Sequence, residues 1–221
     1  MAKCGNYDYE IYRPTFELKA QNIILVDKKV SKLENGSIYH GQWNSFGQRC
    51  GKGVQIWYDG SKYEGYWFSD MANGKGRLFH GDGDVYDGDW ENDNAHGHGK
   101  YLHKDGACYV GEWVDDKQHG FGVESWIDDA RYEGNYEHGR KHGFGVFKWQ
   151  EGSAYEGEFF NNMIHGKGKY IWSDKRQYEG QWKLNKPHGF GKFTKITGDI
   201  HEGYWVNGKA HGFGKFYQNS Q

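Results

Sequence analysis

Long apolar runs are missing from this 221-residue chain. The longest aliphatic stretch, Ile23 to Val26, is far too short to cross a bilayer as a helix. The first ten residues, MAKCGNYDYE, lack the apolar segment of a secretory signal, and Ala2 excludes the myristoylation motif. Cysteine is scarce. Cys4, Cys50 and Cys108 are odd in number and far apart, which gives neither a disulfide framework nor a paired metal-binding motif and points to a reducing compartment. Net charge is −2, so nucleic acid meets no general electrostatic attraction. Hydrophobic residues make up only 36 %, too few for a thick two-layer core, and proline occurs only at Pro14 and Pro187. No stretch carries a convincing helical period.

Aromatic residues and glycine are plentiful, and they are periodic. A Tyr-x-Gly-x-aromatic unit begins at Tyr39, Tyr63, Tyr86, Tyr109, Tyr132, Tyr155, Tyr178 and His201. A Gly-x-Gly follows each unit, starting at Gly51, Gly74, Gly97, Gly120, Gly143, Gly166, Gly189 and Gly212. The first step is 24 residues and the other six are 23. Self-similarity at a fixed period of this length marks an array. Strict periodicity and abundant rings also argue against disorder, the competing reading of low hydrophobicity.

Each repeat reads as strand, loop, strand, turn. In Tyr63 to Trp67 the alternation puts Tyr63, Gly65 and Trp67 on one face and Glu64 and Tyr66 on the other. A six-residue loop such as 68–73 follows, lengthened to seven at 44–50. The second strand is expected to start at Gly-x-Gly and to run through stretches such as VQIW (54–57), VFKW (146–149) and KYIW (169–172). Turns at Asp59-Gly60 or Glu151-Gly152 lead into the next copy. Connections this short join antiparallel strands. The expected fold is all-β, an elongated, twisted, single-layer antiparallel meander of eight hairpins. Residues 31–38 form a leading half unit, so the array spans 31–221. Residues 1–30 are a non-repeating arm with Tyr7, Tyr9, Tyr12 and Phe16, either a tail with a capping strand or a segment whose rings lie on the array or on a partner.

The strand glycines Gly65, Gly88, Gly111, Gly134, Gly157 and Gly180 leave slots between flanking aromatics. A ring from a neighbouring strand is expected to fill each slot. The opposite face of the first strands is mostly acidic, through Glu64, Asp87, Asp89, Glu112, Glu133, Glu156, Glu158, Glu179 and Glu202. The candidate partner-binding groove is the ring row: Tyr39, Trp43, Tyr63, Trp67, Tyr86, Trp90, Tyr109, Trp113, Tyr132, Tyr136, Tyr155, Phe159, Tyr178, Trp182 and Trp205. The plainer reading is that these rings only fill their own slots.

Catalytic and metal readings are weak. Histidine precedes Gly-x-Gly at His96, His119, His142, His165, His188 and His211, but consecutive copies lie one hairpin apart, about 9–10 Å, too far to share a zinc ion. Repeated Gly-x-Gly without a following helix or Gly-Lys-Ser/Thr does not cradle phosphate. Asp82, Asp84, Asp87, Asp89, Glu91 and Asp93 crowd one region without the order of a calcium loop. No cofactor, metal site or enzymatic activity is expected.

The pattern Tyr-x-Gly-x-Trp, then Gly-x-Gly, every 23 residues, resembles the MORN repeat (membrane occupation and recognition nexus) over about residues 31–221. Tyr136 and Phe159 depart from Trp, and His201 departs from Tyr. The resemblance implies a scaffold similar to MORN-only proteins of cilia and flagella, including the radial spoke head and the axoneme, or of other cytoskeletal assemblies. Its partners would be other proteins, held as a helix or extended segment, with self-association through terminal edge strands. Phospholipid binding, proposed for the family, is the second reading. It fits less well, because basic residues occur only as doublets such as Lys28-Lys29, Arg140-Lys141 and Lys175-Arg176.

Overall fold

The computed structural model describes residues 23–219 and divides into two compact units, one running to Lys117 and one from Gln118. Every regular element among the described residues is a β-strand. Unit 1 holds β1 (Val26–Lys32), β2 (Ile38–Trp43), β3 (Arg49–Ile56), β4 (Lys62–Phe68), β5 (Met71–Phe79), β6 (Val85–Glu91), β7 (Asn94–Leu102) and β8 (Cys108–Val114). Unit 2 holds β9 (Lys117–Ser125), β10 (Arg131–Glu137), β11 (Arg140–Lys148), β12 (Ala154–Phe160), β13 (Met163–Ile171), β14 (Gln177–Lys183), β15 (Lys186–Thr194), β16 (Ile200–Val206) and β17 (Lys209–Tyr217). Within each unit, consecutive strands pair antiparallel, so the meander of hairpins read from the repeats is the observed fold. The tail and the aromatics Tyr7, Tyr9, Tyr12 and Phe16 lie outside the described residues, as does Cys4. β1 begins at Val26, so strand structure starts before the half unit expected at 31–38.

The hairpins are tighter than the spacing suggests. The six residues 68–73 are not a loop: β4 runs to Phe68, β5 starts at Met71, and only Ser69 and Asp70 turn. Both have positive φ, 48° and 68°, the type I′ geometry that matches the twist of flanking strands. The same pair of angles recurs at Asn92-Asp93, Asp115-Asp116, His138-Gly139, Asn161-Asn162, Leu184-Asn185 and Asn207-Gly208. Only the first copy keeps a longer connection, closed by Asn44 N–H to the Gln48 carbonyl at 3.0 Å.

Gly-x-Gly is correspondingly not the start of the second strand but a bulge inside it. Gly65 faces Gly76 and Trp67 faces Ala72, so Tyr66 alone opposes three residues. Gly74, the first glycine of the pair, absorbs the extra length with φ of +77°. A non-glycine residue is strained there, which explains why the position never varies.

The second turn residue also ties each hairpin to the one before. Asn162 donates its N–H to the Lys141 carbonyl (2.9 Å), and its Oδ1 accepts the Lys141 N–H (2.8 Å). Asp93 does the same with Ala72, Asp116 with Ala95 and Asn185 with Ile164. Where glycine stands, at Gly139 and Gly208, only the backbone half remains. Asn162→Ala removes one bond, worth about 1 kcal/mol, and strains a left-handed residue by about 1 kcal/mol more. Asn162→Gly loses the bond alone. Denaturant titration is expected to show the alanine variant about 1 kcal/mol less stable than the glycine variant; equal stabilities would refute a conformational role for the position.

Candidate functional site

The two faces of the meander are chemically distinct. One, the ring face, carries Tyr and Trp of the first strands. Each tyrosine lies along its own strand. A Cβ added at Gly65 would sit 2.5 Å from the Tyr63 hydroxyl and 2.6 Å from the Gly76 Cα, and one at Gly76 would sit 2.2 Å from that hydroxyl. Tyr63 therefore covers two facing glycines, its own and that of the next strand. The ring in the slot comes from two residues earlier on the same strand, not from a neighbouring strand as expected. A side chain can lean along its strand in this way, and the missing Cβ atoms let it lie flat. The same arrangement holds at Gly88, Gly134, Gly157 and Gly180; Gly111 faces Gly99 in the equivalent register.

Burial of the phenol is made tolerable by a hydrogen bond to the carbonyl three residues on. Tyr39 donates to Gln42 at 3.0 Å, Tyr63 to Tyr66 at 3.0 Å, Tyr132 to Asn135 at 3.0 Å and Tyr178 to Gln181 at 3.1 Å. The tryptophans bind across repeats. Trp67 Nε1 donates to the Gly53 carbonyl at 3.2 Å, Trp90 to Gly76 at 3.0 Å and Trp182 to Gly168 at 3.1 Å. Within a unit the tyrosine thus lies edge-on between two tryptophan-position rings: Tyr63 is 5.0 Å from Trp67 and 5.1 Å from Trp90. Tyr132 lies likewise between Tyr136 (5.3 Å) and Phe159 (5.2 Å). Edge-to-face pairs each contribute about 0.5–1.5 kcal/mol beyond buried area.

This corrects the groove read from sequence. Fourteen of its fifteen residues are at most 8 % exposed. Only Trp205 is half-buried. Tyr39, Tyr63, Tyr86, Tyr109, Tyr132, Tyr155 and Tyr178, with Trp43, Trp67, Trp90, Trp113, Tyr136, Phe159 and Trp182, are the chain's own core, filling their own slots. The rings left open to solvent on that face lie on the second strands or on the residue just past their ends. In unit 2 they are half-buried Trp126, Phe147, Trp149, Tyr170, Trp172 and Phe193. They form a continuous file: Trp126–Phe147 5.3 Å, Phe147–Trp149 4.4 Å, Trp149–Tyr170 5.2 Å, Tyr170–Trp172 4.7 Å and Trp172–Phe193 5.9 Å. The signal was in the sequence, in FKW at 147–149 and YIW at 170–172. These stretches are less regular than Tyr-x-Gly-x-Trp, since unit 1 has Gln55, Leu78, Tyr101 and His80 at equivalent places.

The opposite face is not acidic but sign-alternating. Second strands supply the cations. Glu156, Lys169, Glu179, Lys192, Glu202 and Lys215 stand directly opposite one another on successive strands. Glu64, Arg77, Asp87 and Lys100 do the same in unit 1. Such cross-strand pairs stabilise a solvated face and leave little net field.

The sequence clusters disperse. Asp87 and Asp89 pair with Arg77 and Lys75, Asp82 caps a turn, and Asp93 makes the hairpin tie. Among the described residues no three His, Cys, Asp or Glu side chains converge to hold a metal ion. Nδ1 of His96, His119, His142, His165 and His188 is buried without a hydrogen bond, and carboxylates stand near two of these rings: Asp115 3.6 Å from His96 and Glu137 3.3 Å from His142. Cys50 is a buried free thiol, and burial pushes its pKa up.

Two consequences are measurable. Gly145→Ala drives a Cβ within 2.5 Å of the Tyr132 hydroxyl, whereas Gly139→Ala meets open space at φ of +79°. The first is expected to cost about 3 kcal/mol in a denaturant melt and the second about 1 kcal/mol. Equal costs would show that the tyrosine does not need the slot. Burial also pushes the hydroxyls of Tyr39 and Tyr178 up to about 12, and those of Tyr63, Tyr86, Tyr132 and Tyr155 further above the usual phenol range. The folded state holds these protons more tightly than the unfolded state, whose phenols titrate near 10. Stability is therefore intact below about pH 10 and falls as pH rises through 10 towards 12. Phenolate absorbance of the seam tyrosines should appear together with unfolding; ionisation at the ordinary pKa with the strands intact would contradict their burial.

The repeat pattern of the MORN repeat family matches residues 39–62, 63–85, 86–108, 109–131, 132–154, 155–175, 178–200 and 201–220. Comparison with curated proteins found no match. Among solved structures, the chain resembles the Drosophila melanogaster SAS-4 TCP domain in complex with a proline-rich motif of Ana2, with a TM-score of 0.39 and 9 % identity over 87 % of this chain and 90 % of that one. It also resembles the TCP10 domain of Danio rerio CPAP, with a TM-score of 0.34 and 11 % identity over 86 % of this chain and 100 % of that one. Eight matched repeats extend over most of the sequence, and the chain belongs to the MORN repeat family.

Proposed function

We propose that this chain is a non-catalytic interaction scaffold that holds a helical or extended segment of a partner protein along its ring face. The observation that carries this reading is the file of half-buried rings from Trp126 to Phe193, which no second layer covers among the described residues. A continuous stripe of large exposed rings is characteristic of interaction surfaces. The buried Tyr and Trp row forms the floor beneath it and fixes the spacing. A cleft lined by Glu124, Phe147, Trp149, Asn162, Ile164 and Asn185 lies between the open rings and the hairpin tips. The ring positions repeat with the strands, so a partner with apolar residues at regular intervals would find several equivalent contacts. A ciliary, axonemal or cytoskeletal setting is proposed on family resemblance. Self-association through β17 is a variant of the same reading, since all nine of its residues are exposed and it pairs with β16 alone among the described residues.

The test uses two double variants of the full chain. Trp149→Ala with Trp172→Ala strips the open file, while Phe144→Ala with Phe190→Ala removes exposed rings on the charged face. Affinity capture of binding partners is expected to lose them in the first variant and keep them in the second, with both folded by circular dichroism. An unchanged partner set in the folded Trp149/Trp172 variant defeats the reading.

A further inference from the structure

The hairpin tips of the two units share one conformation and differ in charge. At the second turn position unit 1 has Asp70, Asp93 and Asp116, and unit 2 has Gly139, Asn162, Asn185 and Gly208. All lie in the left-handed region, which Asn, Asp and Gly tolerate alike. The hairpin tie needs only one side-chain oxygen, and Asn162 supplies it as well as Asp93 does. Geometry therefore gives no reason for aspartate in unit 1.

One of these tips, Asp93, lines a cleft on the ring face of unit 1, and Asp70 and Asp116 hold the equivalent place one repeat to either side. Its lining includes Trp57, Leu78, His80 and the buried Trp67 and Trp90 as apolar and aromatic surface, with Asp93 at the tip side and Asp59 at the other end. Asp59 also lines the cleft and begins a second row of aspartates at equivalent places in successive repeats. It caps a three-residue turn through the Ser61 N–H, and Asp82 and Asp105 cap the equivalent turns through Asp84 and Ala107. Each of these carboxylates commits one oxygen to a backbone N–H. Asp59, Asp82, Asp93, Asp105 and Asp116 make no ion pair among the described residues, whereas Asp70 is neutralised by Arg49 at 3.1 Å. Arg49 is held at one end of the cleft by Asp70 and by the face of Trp67, 4.3 Å away, so it does not offset the remaining charge.

Resting on the scaffold reading above, we infer that the unit 1 cleft takes a basic amphipathic peptide segment, with apolar side chains on the ring floor and Lys or Arg on both flanks. Two uncompensated carboxylate rows on either side of an apolar floor select that charge pattern. An anionic membrane surface would be repelled by the same rims. The chain's own residues 1–22 suit the cleft less well. They carry Lys3, Arg13 and Lys19 against Asp8, Glu10 and Glu17, and so bring no net positive charge.

The test is fluorescence anisotropy on the full chain with two labelled probes, a peptide alternating leucine with lysine and one alternating leucine with glutamate. The lysine probe is expected to bind, more weakly as salt rises, and the glutamate probe not to. The triple variant Asp59→Asn, Asp93→Asn, Asp116→Asn keeps every turn oxygen, so it should fold normally and lose affinity for the lysine probe about tenfold. Trp57→Ala separates the two readings. Loss of binding in Trp57→Ala but not in the triple variant leaves the ring-face scaffold standing and overturns the acidic rim. Equal binding of the two probes, or no binding of the lysine probe, also overturns the rim. Binding that appears only after residues 1–22 are removed gives the cleft to the chain's own arm and overturns the basic-partner assignment.

Discussion

A tyrosine ring lying flat over two facing glycines is the contact on which this structure depends. Without a Cβ on either glycine, the ring approaches the backbone of two strands at once. Its hydroxyl reaches the carbonyl of the residue beyond the glycine, as Tyr155 reaches Glu158 at 3.0 Å. One side chain thereby fills a slot, clamps two strands and satisfies its own polar atom. Glycine in a strand interior ordinarily costs about 0.5–1 kcal/mol relative to alanine. Here each glycine is repaid by a fully buried ring, and the ring-to-ring contacts extend from repeat to repeat.

The remaining features follow from that clamp. The strand that carries Gly-x-Gly has two more residues than its partner between Gly76 and Ala72, so it must bulge, and the first glycine takes the positive φ. The bulge brings the tryptophan position opposite a small residue, Ala72 or Ala95, next to the turn. The tryptophan can then donate across to the preceding repeat. Stability is built from clamps within a repeat and from tryptophan bonds and hairpin ties between repeats, the nearest-neighbour scheme of a linear array. A single layer suffices because the rings are broad enough to bury one another without a second sheet.

Much of this was legible from the chain. The period gave eight units, alternation gave the two faces, and the short connections gave antiparallel pairing. Three features were not. Residues 68–73 look like a loop because Met71, Ala72 and Asn73 carry no strand signal; the Asn, Asp or Gly at the second turn place was the better guide. Alternation places Tyr63 and Gly65 on one face without indicating that a side chain leans along its own strand, so it points to a neighbouring strand for the ring in the slot. First strands alone give an acidic face; the cations that alternate with it sit on second strands, visible only once Glu156 and Lys169 are known to stand opposite. For the site, the regular rings drew attention because they are regular, and regularity here marks core. The irregular rings on the second strands and just past their ends are the ones left open.

That division has a general cause. Positions inside the clamp tolerate almost no change, because the facing glycines meet a tyrosine ring and the tyrosine hydroxyl meets a carbonyl. Variation is confined to positions whose backbone geometry is already fixed by something else. The hairpin tips are such positions: the left-handed pair accepts Asp, Asn, Gly, and at the first place even His or Leu, without altering the turn. The second-strand row is another, with Gln55, Leu78, Tyr101, Glu124 and Phe147 at equivalent registers. At Glu124 the row becomes an ion pair, with Lys141 Nζ 2.6 Å away and 5.0 Å from the face of Trp126. One backbone thus presents a different surface in each repeat, and what the chain recognises is carried by residues the repeat signature leaves unspecified.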